Sequence, residues 1–299
     1  MDVSPTLHNL NLLRKAFWNS FRHGVFMMSK GAAYSSILTV FPLLIIVSWA
    51  LDKTHTTETF FREISYTIGL VLPPGSRSSA LGVFHTQRPV KEIYTATSIM
   101  IFAASGIMIS WMEGFRRAYG ISVNPWGFWR ERVVALLLVF LGFAPMGFAM
   151  VLVAFGNVIE TWVLMHLHLV PKIWVLFAWS MGRWLISGVA SVTAIMLIYH
   201  WGLPRVQPWH RVLPGAVVAT CLWFPASLIF GWYVTKYASY NIIYGPLGAG
   251  IALLVLLYNV SITILVGAEF NALACPRTKA LDEDERRGRD RRKGPRRRA

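Results

Sequence analysis

Long apolar windows alternate with shorter polar segments along most of the chain. Six windows reach the roughly 18 apolar residues that a membrane-spanning helix needs. They cover residues 31–51, 95–115, 133–156, 173–200, 212–235 and 246–274. The pattern predicts an all-α, polytopic membrane protein with a six-helix transmembrane domain over 31–274, preceded by an N-terminal segment (1–30) and followed by a tail (275–299).

Two other stretches are apolar on one helical face only. In the first, over 7–25, the apolar face consists of Leu10, Leu13, Phe17, Phe21 and Val25. This predicts an amphipathic helix that either lies on the inner leaflet or docks on the cytoplasmic ends of the bundle, and the pattern does not choose between the two. The second stretch lies within 52–94 and is expected either to lie at the outer interface or to dip into the membrane as a partial hairpin.

The distribution of charge predicts the topology. Only 14% of the residues are charged, against about 25% in soluble proteins. Lys and Arg number 21 in the terminal segments and alternate loops on one side, against 7 in the loops on the other side. The positive-inside rule therefore places both termini in the cytoplasm.

The tail after Pro276 carries 11 basic and 5 acidic residues without apolar periodicity, which predicts a disordered segment. It is either a solvated segment that helps to set orientation or a segment attracted to anionic lipid headgroups. No aromatic residues are interleaved with its charges for base stacking, so nucleic acid is not an expected partner.

Three prolines fall well inside predicted spans. Pro42, Pro145 and Pro225 follow the last cytoplasmic cation of their spans by 12 to 14 residues. A proline frees a backbone carbonyl and bends a helix, so we predict hinges at these positions.

Arg183 is the only charged residue between Ile173 and Tyr199. Three serines share its side of the helix at steps of three or four residues, namely Ser180, Ser187 and Ser191. Asn259 is placed at a similar depth in the sixth span, and no carboxylate is expected at that level. Carbonyls and hydroxyls, cavity water or an anionic ligand could compensate the charge, and a phosphate fits the guanidinium fork best if a ligand does so.

The remaining polar residues favour structural roles or exclude enzyme classes. Inner-rim ion pairs are predicted for Glu113, Glu269, Arg116 and Arg117. The pair His166 and His168 lacks the further ligands of a metal nuclease, and the chain has neither paired acids for two-metal chemistry nor a phosphate-binding glycine loop. No catalytic residues, metal site or cofactor are therefore expected.

Two segments, "AAYSSILTVFPLL" (32–44) and "YNIIYGPLGAGIALLVLLYNVSITILVGAEFNAL" (240–273), resemble the YihY/BrkB family of bacterial inner-membrane proteins. The resemblance covers residues 15–274 and includes the motif formed by Gly267, Ala268, Glu269 and Asn271. It implies six transmembrane helices and a multi-pass location in the bacterial inner membrane. It supplies no settled activity, since relatives carry an old ribonuclease label or are associated with serum resistance and with envelope lipids.

The leading hypothesis is a protein that transports or flips an anionic amphipath, an envelope phospholipid or a lipid A precursor. Arg183 would receive the headgroup, Asn259 and the serines would add hydrogen bonds, and the three prolines would permit bending. The alternative is a structural or interaction protein of the envelope without transport activity. A ribonuclease that processes RNA is the third and disfavoured reading, and oligomeric state stays open.

Overall fold

The computed structural model describes residues 5–53, 90–121, 126–167, 173–204, 207–236 and 247–274. Within these ranges the secondary structure is entirely helical. The seven helices are α1 (Pro5–Arg22), α2 (Val25–Lys53), α3 (Val90–Ala118), α4 (Phe128–Leu167), α5 (Ile173–Trp201), α6 (Trp209–Lys236) and α7 (Leu247–Ala274). The predicted outer interfacial stretch and the basic tail lie outside the described residues.

Helices α2 to α7 form a closed ring. Each packs against the next along the chain, and α7 packs back against α2 and also contacts α3. We call basal the end of the ring that carries α1, the α3–α4 turn and the end of α7, and distal the opposite end. Helices α2, α4 and α6 run from basal to distal, and α3, α5 and α7 run back.

Among the described residues, five helices contain spans long and apolar enough to cross a membrane. They are Val25–Val47, Val90–Ala118, Trp179–Trp201, Trp209–Val234 and Gly250–Ala274. The all-α, multi-pass prediction is confirmed. The sixth predicted span, 133–156, lies within the unbroken helix α4, which has 40 residues, but it is not one of these five, so the count of six stays a prediction.

The helices remain continuous where polar residues and prolines interrupt their apolar sequence. Several hydroxyls donate to the carbonyl one turn earlier, as Ser36 does to Ala32 at 2.8 Å and Thr39 does to Ser35 at 2.8 Å. Such bonds satisfy the hydroxyl without breaking the helix, which an apolar environment requires. Pro42, Pro145 and Pro225 all lie inside helices, and their predicted action as hinges stays untested.

Two glycines end helices at the basal side. Gly24, at φ +72°, follows α1, and Gly120, at φ +70°, follows α3. Both occupy the left-handed region that L side chains rarely adopt and that commonly terminates a helix. The turn at Gly24 starts the first spanning helix at Val25, six residues before the predicted start at 31.

The N-terminal helix α1 docks against the basal end of α7. Ala16 and Ser20 face the bundle and are fully buried, and the Ser20 hydroxyl donates to the Ala16 carbonyl at 2.8 Å. Of the two alternatives predicted for this helix, the structure shows docking on the bundle.

The remainder of α1 has two further faces. Successive residues of a helix are rotated by about 100°. One face of α1 carries the exposed apolar residues Leu10, Phe17 and Phe21. The other face carries the exposed polar residues Asn11, Lys15 and Arg22. The two faces and the docked face are spaced by roughly a third of a turn. This geometry suits a helix that also contacts the inner leaflet.

We predict that a nitroxide at Phe17 or Phe21 contacts acyl chains and that one at Asn11 or Lys15 contacts water. The measurement is electron paramagnetic resonance accessibility in bilayers, on a chain whose native cysteines are replaced. Labels at 17 and 21 should collide with oxygen, and labels at 11 and 15 with a water-soluble nickel complex. If the nickel complex reaches 17 and 21 equally well, the face lies in water, and if neither reagent reaches them, protein covers it.

Candidate functional site

The basal end of α7 binds three other elements through four residues, Ile264, Gly267, Glu269 and Asn271. We call this set the α7 clasp. The first, second and fourth lie on one face of the helix, and Glu269 lies about 200° away from Gly267. This spacing lets a single helix end hold partners on opposite sides.

Asn271 joins α7 to α6. Its side chain is fully buried. Its Oδ1 accepts a hydrogen bond from the Gly215 amide at 2.7 Å, and its Nδ2 donates to the Val212 carbonyl at 3.0 Å. Both bonds go to the backbone near the start of α6, so the amide fixes the position of that helix rather than of one side chain.

Two glycines allow this close helix crossing. A Cβ at Gly215 would collide with Asn271 and with the Gly267 carbonyl, and a Cβ at Gly267 would meet Tyr199 and Ala219. Tyr199 on α5 donates from its buried hydroxyl to the Ile264 carbonyl. The backbones of α6 and α7 are therefore in near contact at this level, as small residues permit in membrane proteins, and α5 joins them through the Tyr199 side chain.

Glu269 joins α7 to the turn between α1 and α2. Its side chain is 1% exposed, and Oε1 lies 2.6 Å from Nδ1 of His23, whose side chain is 31% exposed. A buried carboxylate needs such partners, because desolvation otherwise penalises its charge. The sequence predicted Glu269 as a member of the inner-rim ion pairs, and among the described residues the structure gives it His23 as a partner.

A second ion-pair group lies at the α3–α4 corner. Arg116, 5% exposed, bonds to Glu113 at 2.7 Å and to Glu131 at 2.6 Å. Arg117 bonds to Glu113 at 3.0 Å. The i,i+3 and i,i+4 spacing within α3 signalled the pairs to Glu113. Glu131 was not singled out, since no local spacing links it to Arg116 across the turn.

Packing differs sharply between the two ends of the ring. On α6, Val212, Ala216 and Ala219 are buried, whereas no described side chain from 220 to 236 is. On α5, burial begins at Ser191 and no described side chain from 179 to 190 is buried.

Glycines in the helices follow the same division. The helical glycines at the basal end contact neighbouring helices, whereas a Cβ added at any of five glycines at mid-helix or toward the distal end would meet nothing within 4 Å, namely Gly147, Gly182, Gly188, Gly231 and Gly250. Helices α5 and α6 are thus closely packed at their basal halves and loosely packed at their distal halves.

Arg183 lies in the loosely packed half of α5. It is half-buried, like Ser180 and Ser187 on the same side, and it interacts with another part of the protein. A ligand-binding role for Arg183 therefore rests on its location in this half of the helix. Ser191 is buried and donates to the Ser187 carbonyl at 2.9 Å, so it would have to rotate before donating to a ligand.

Arg183 and Asn259 do not share a level. The Tyr199–Ile264 bond fixes the register of α5 against α7. From that bond Arg183 lies 16 residues toward the distal end and Asn259 only five, which correspond to about 24 Å and about 8 Å along the helices. The expectation of equal depth is wrong, because it counted each span from its own predicted end without the register between helices.

In the sequence analysis Arg132 served only as the last cytoplasmic cation before a predicted span. Its Nη1 donates to the Ser105 hydroxyl at 3.0 Å, and its guanidinium carbon lies 4.0 Å from the ring centroid of Phe102. The sequence could not reveal these contacts, because they depend on how α3 and α4 pack.

Among the described residues no group of three or more His, Cys, Asp or Glu could hold a metal ion.

Comparison with known proteins gives a family match over most of the chain. The family described as Virulence factor BrkB matches residues 16–292. A protein of Bacillus subtilis named "Putative ribonuclease-like protein YfkH" is 25% identical over 278 residues, which cover 92% of this chain and 99% of that protein. A protein of Tolumonas auensis named "UPF0761 membrane protein" is 26% identical over 270 residues, or 86% of this chain and 83% of the relative. No solved structure matches.

We predict that Asn271→Ala destabilises the protein because it removes both side-chain bonds between α7 and α6. The loss should be about 1–3 kcal/mol, measured as a lower unfolding midpoint in detergent. Asn259→Ala is the matched control, with the same change on the same helix at a half-buried site, and should alter stability by under about 0.5 kcal/mol. Equal stability of the two variants would remove the structural role assigned to Asn271.

Proposed function

The chain belongs to the BrkB family of membrane proteins, and we propose that it moves an anionic amphipath, a phospholipid or glycolipid of the envelope, through the bacterial inner membrane. A lipid A precursor is one such molecule. We also propose that the basal end faces the cytoplasm, which agrees with the excess of Lys and Arg in the segments at that end. The proposal involves no catalytic residue and no cofactor.

The observation that supports transport is the unequal packing of the two halves of α5 and α6. The α7 clasp holds the basal ends with hydrogen bonds of buried side chains, and the α3–α4 corner does so with the ion pairs of Arg116. The distal halves of α5 and α6 bury none of their described side chains. Helices that stay joined at one end can separate at the other, and such hinge movements are among those that transporters use.

In this proposal Arg183 receives the headgroup at the loosely packed half of α5. A guanidinium suits a phosphate because its N–H groups match two oxygens at once. Ser180 and Ser187 lie on the same side and supply further donors, whereas Asn259 and Ser191 lie deeper toward the basal end. They would contact a substrate only after it had advanced along the ring.

Pro42 and Pro225 belong to the two helices that flank α7, and Pro145 belongs to α4. As hinges they would let the distal segments move against fixed basal segments. The alternative of a structural protein of the envelope requires no such movement. The ribonuclease-like wording in the name of the Bacillus relative describes that protein.

We predict that Arg183→Leu slows lipid movement about tenfold or more, because a charge-assisted bond to the headgroup is lost. The measurement is dithionite reduction of a fluorescent phosphatidylglycerol in vesicles that contain the purified protein. Lys236→Leu is the matched control, since it removes one exposed cation from the distal end of α6, and it should leave the rate unchanged.

Two outcomes would contradict the proposal at different levels. If Arg183→Leu moves lipid at the rate of the unmodified protein, the arginine is not the headgroup site. If the unmodified protein itself accelerates no movement of anionic lipid, the transport function fails and the structural alternative gains support.

A further inference from the structure

Arg132 is held in a cradle between α3 and the start of α4. Besides its bond to the Ser105 hydroxyl, its guanidinium carbon lies 4.0 Å from the ring centroid of Phe102 and 5.1 Å from that of Phe128. Ser105 donates in turn to the Phe102 carbonyl at 2.7 Å. The hydroxyl is thereby fixed as an acceptor, and the arginine is oriented by contacts to both helices.

None of these contacts neutralises the charge of Arg132. The carboxylates of the α3–α4 corner, Glu113 and Glu131, bond to Arg116 and Arg117. Across the described ranges Arg132 forms no ion pair, and its buried Nε has no hydrogen-bond partner. A guanidinium does not lose its proton, so one unit of charge is left beside two aromatic rings and a hydroxyl.

The surroundings of the cradle consist of large, exposed apolar side chains. Phe102 is 64% exposed, Phe128 is 63% exposed and the adjacent Trp129 is 78% exposed. In a membrane protein large apolar side chains on the outside of a helix contact acyl chains. Trp together with Arg at a helix end is typical of the interface with the headgroups. A molecule that reaches Arg132 from this side therefore comes from the membrane.

We propose that Arg132 binds the phosphate of an anionic phospholipid in the groove between α3 and α4. The guanidinium supplies the charge and paired donors that a phosphate accepts, and Phe102 and Phe128 contact the apolar part of the same lipid. This site lies apart from Arg183 and goes beyond the proposed transport, because a lipid can be held there whether or not the protein moves lipid.

Native mass spectrometry of the full chain, released from detergent after titration with phosphatidylglycerol, tests the site. Phosphatidylcholine and inorganic phosphate serve as the comparison probes. Arg132→Gln should lower the apparent affinity for phosphatidylglycerol about tenfold, the effect of one charge-assisted bond. Arg132→Lys should keep most of the affinity. Arg130→Gln is the matched control, because it removes an exposed cation two residues away, and it should have no effect.

Several results would overturn the site. Unchanged phosphatidylglycerol binding by Arg132→Gln would do so, as would an equal loss in Arg130→Gln, which indicates general surface charge. Displacement of the lipid by millimolar inorganic phosphate would assign the arginine to a soluble anion. If Arg132→Gln does not fold, Phe102→Leu keeps the charge and removes one ring, so weaker lipid retention supports the site and unchanged retention overturns it.

Discussion

The α7 clasp is the constraint on which the arrangement of the other helices depends. One helix end carries a buried amide that holds the backbone of α6, a backbone carbonyl that accepts from Tyr199 of α5, and a buried carboxylate that pairs with His23 before α2. Buried polar groups of this kind are costly unless they are satisfied, so each strongly favours one relative placement of its helices. Because α7 also closes the ring against α2, these bonds fix the basal end as a unit.

The loose packing of the distal halves of α5 and α6 matters for function because the basal end is fixed. Apolar helices gain little from contact with one another when the alternative is contact with lipid, so close packing and polar bonds decide where they stay joined. Both are concentrated near the clasp and at the Arg116 corner. Helices tied at one end and weakly joined at the other can separate distally at small cost, which is the mechanical requirement of the proposed transport.

The sequence predicted the helices well and the contacts between helices poorly. Apolar windows identify spans because a helix in lipid must satisfy its own backbone, and the spacing of Glu113, Arg116 and Arg117 marked a local ion-pair group. The motif around Gly267 and Asn271 was visible, but its role was not, since the partners on α6 are more than 50 residues away. Register between helices is also absent from a sequence, which is why Arg183 and Asn259 were placed at one depth and Arg132 was passed over.

The most direct measurement of the central claim is a pair of distance distributions by double electron–electron resonance in lipid nanodiscs. One label pair replaces the exposed residues Lys30 and His210 at the basal ends of α2 and α6, and the other replaces Ala50 and Tyr233 toward their distal ends. The account predicts a narrow basal distribution that does not change with lipid composition, and a distal distribution that broadens or shifts when anionic lipid is added. Two equally narrow distributions that do not change when anionic lipid is added, or a broad basal distribution, would contradict the account.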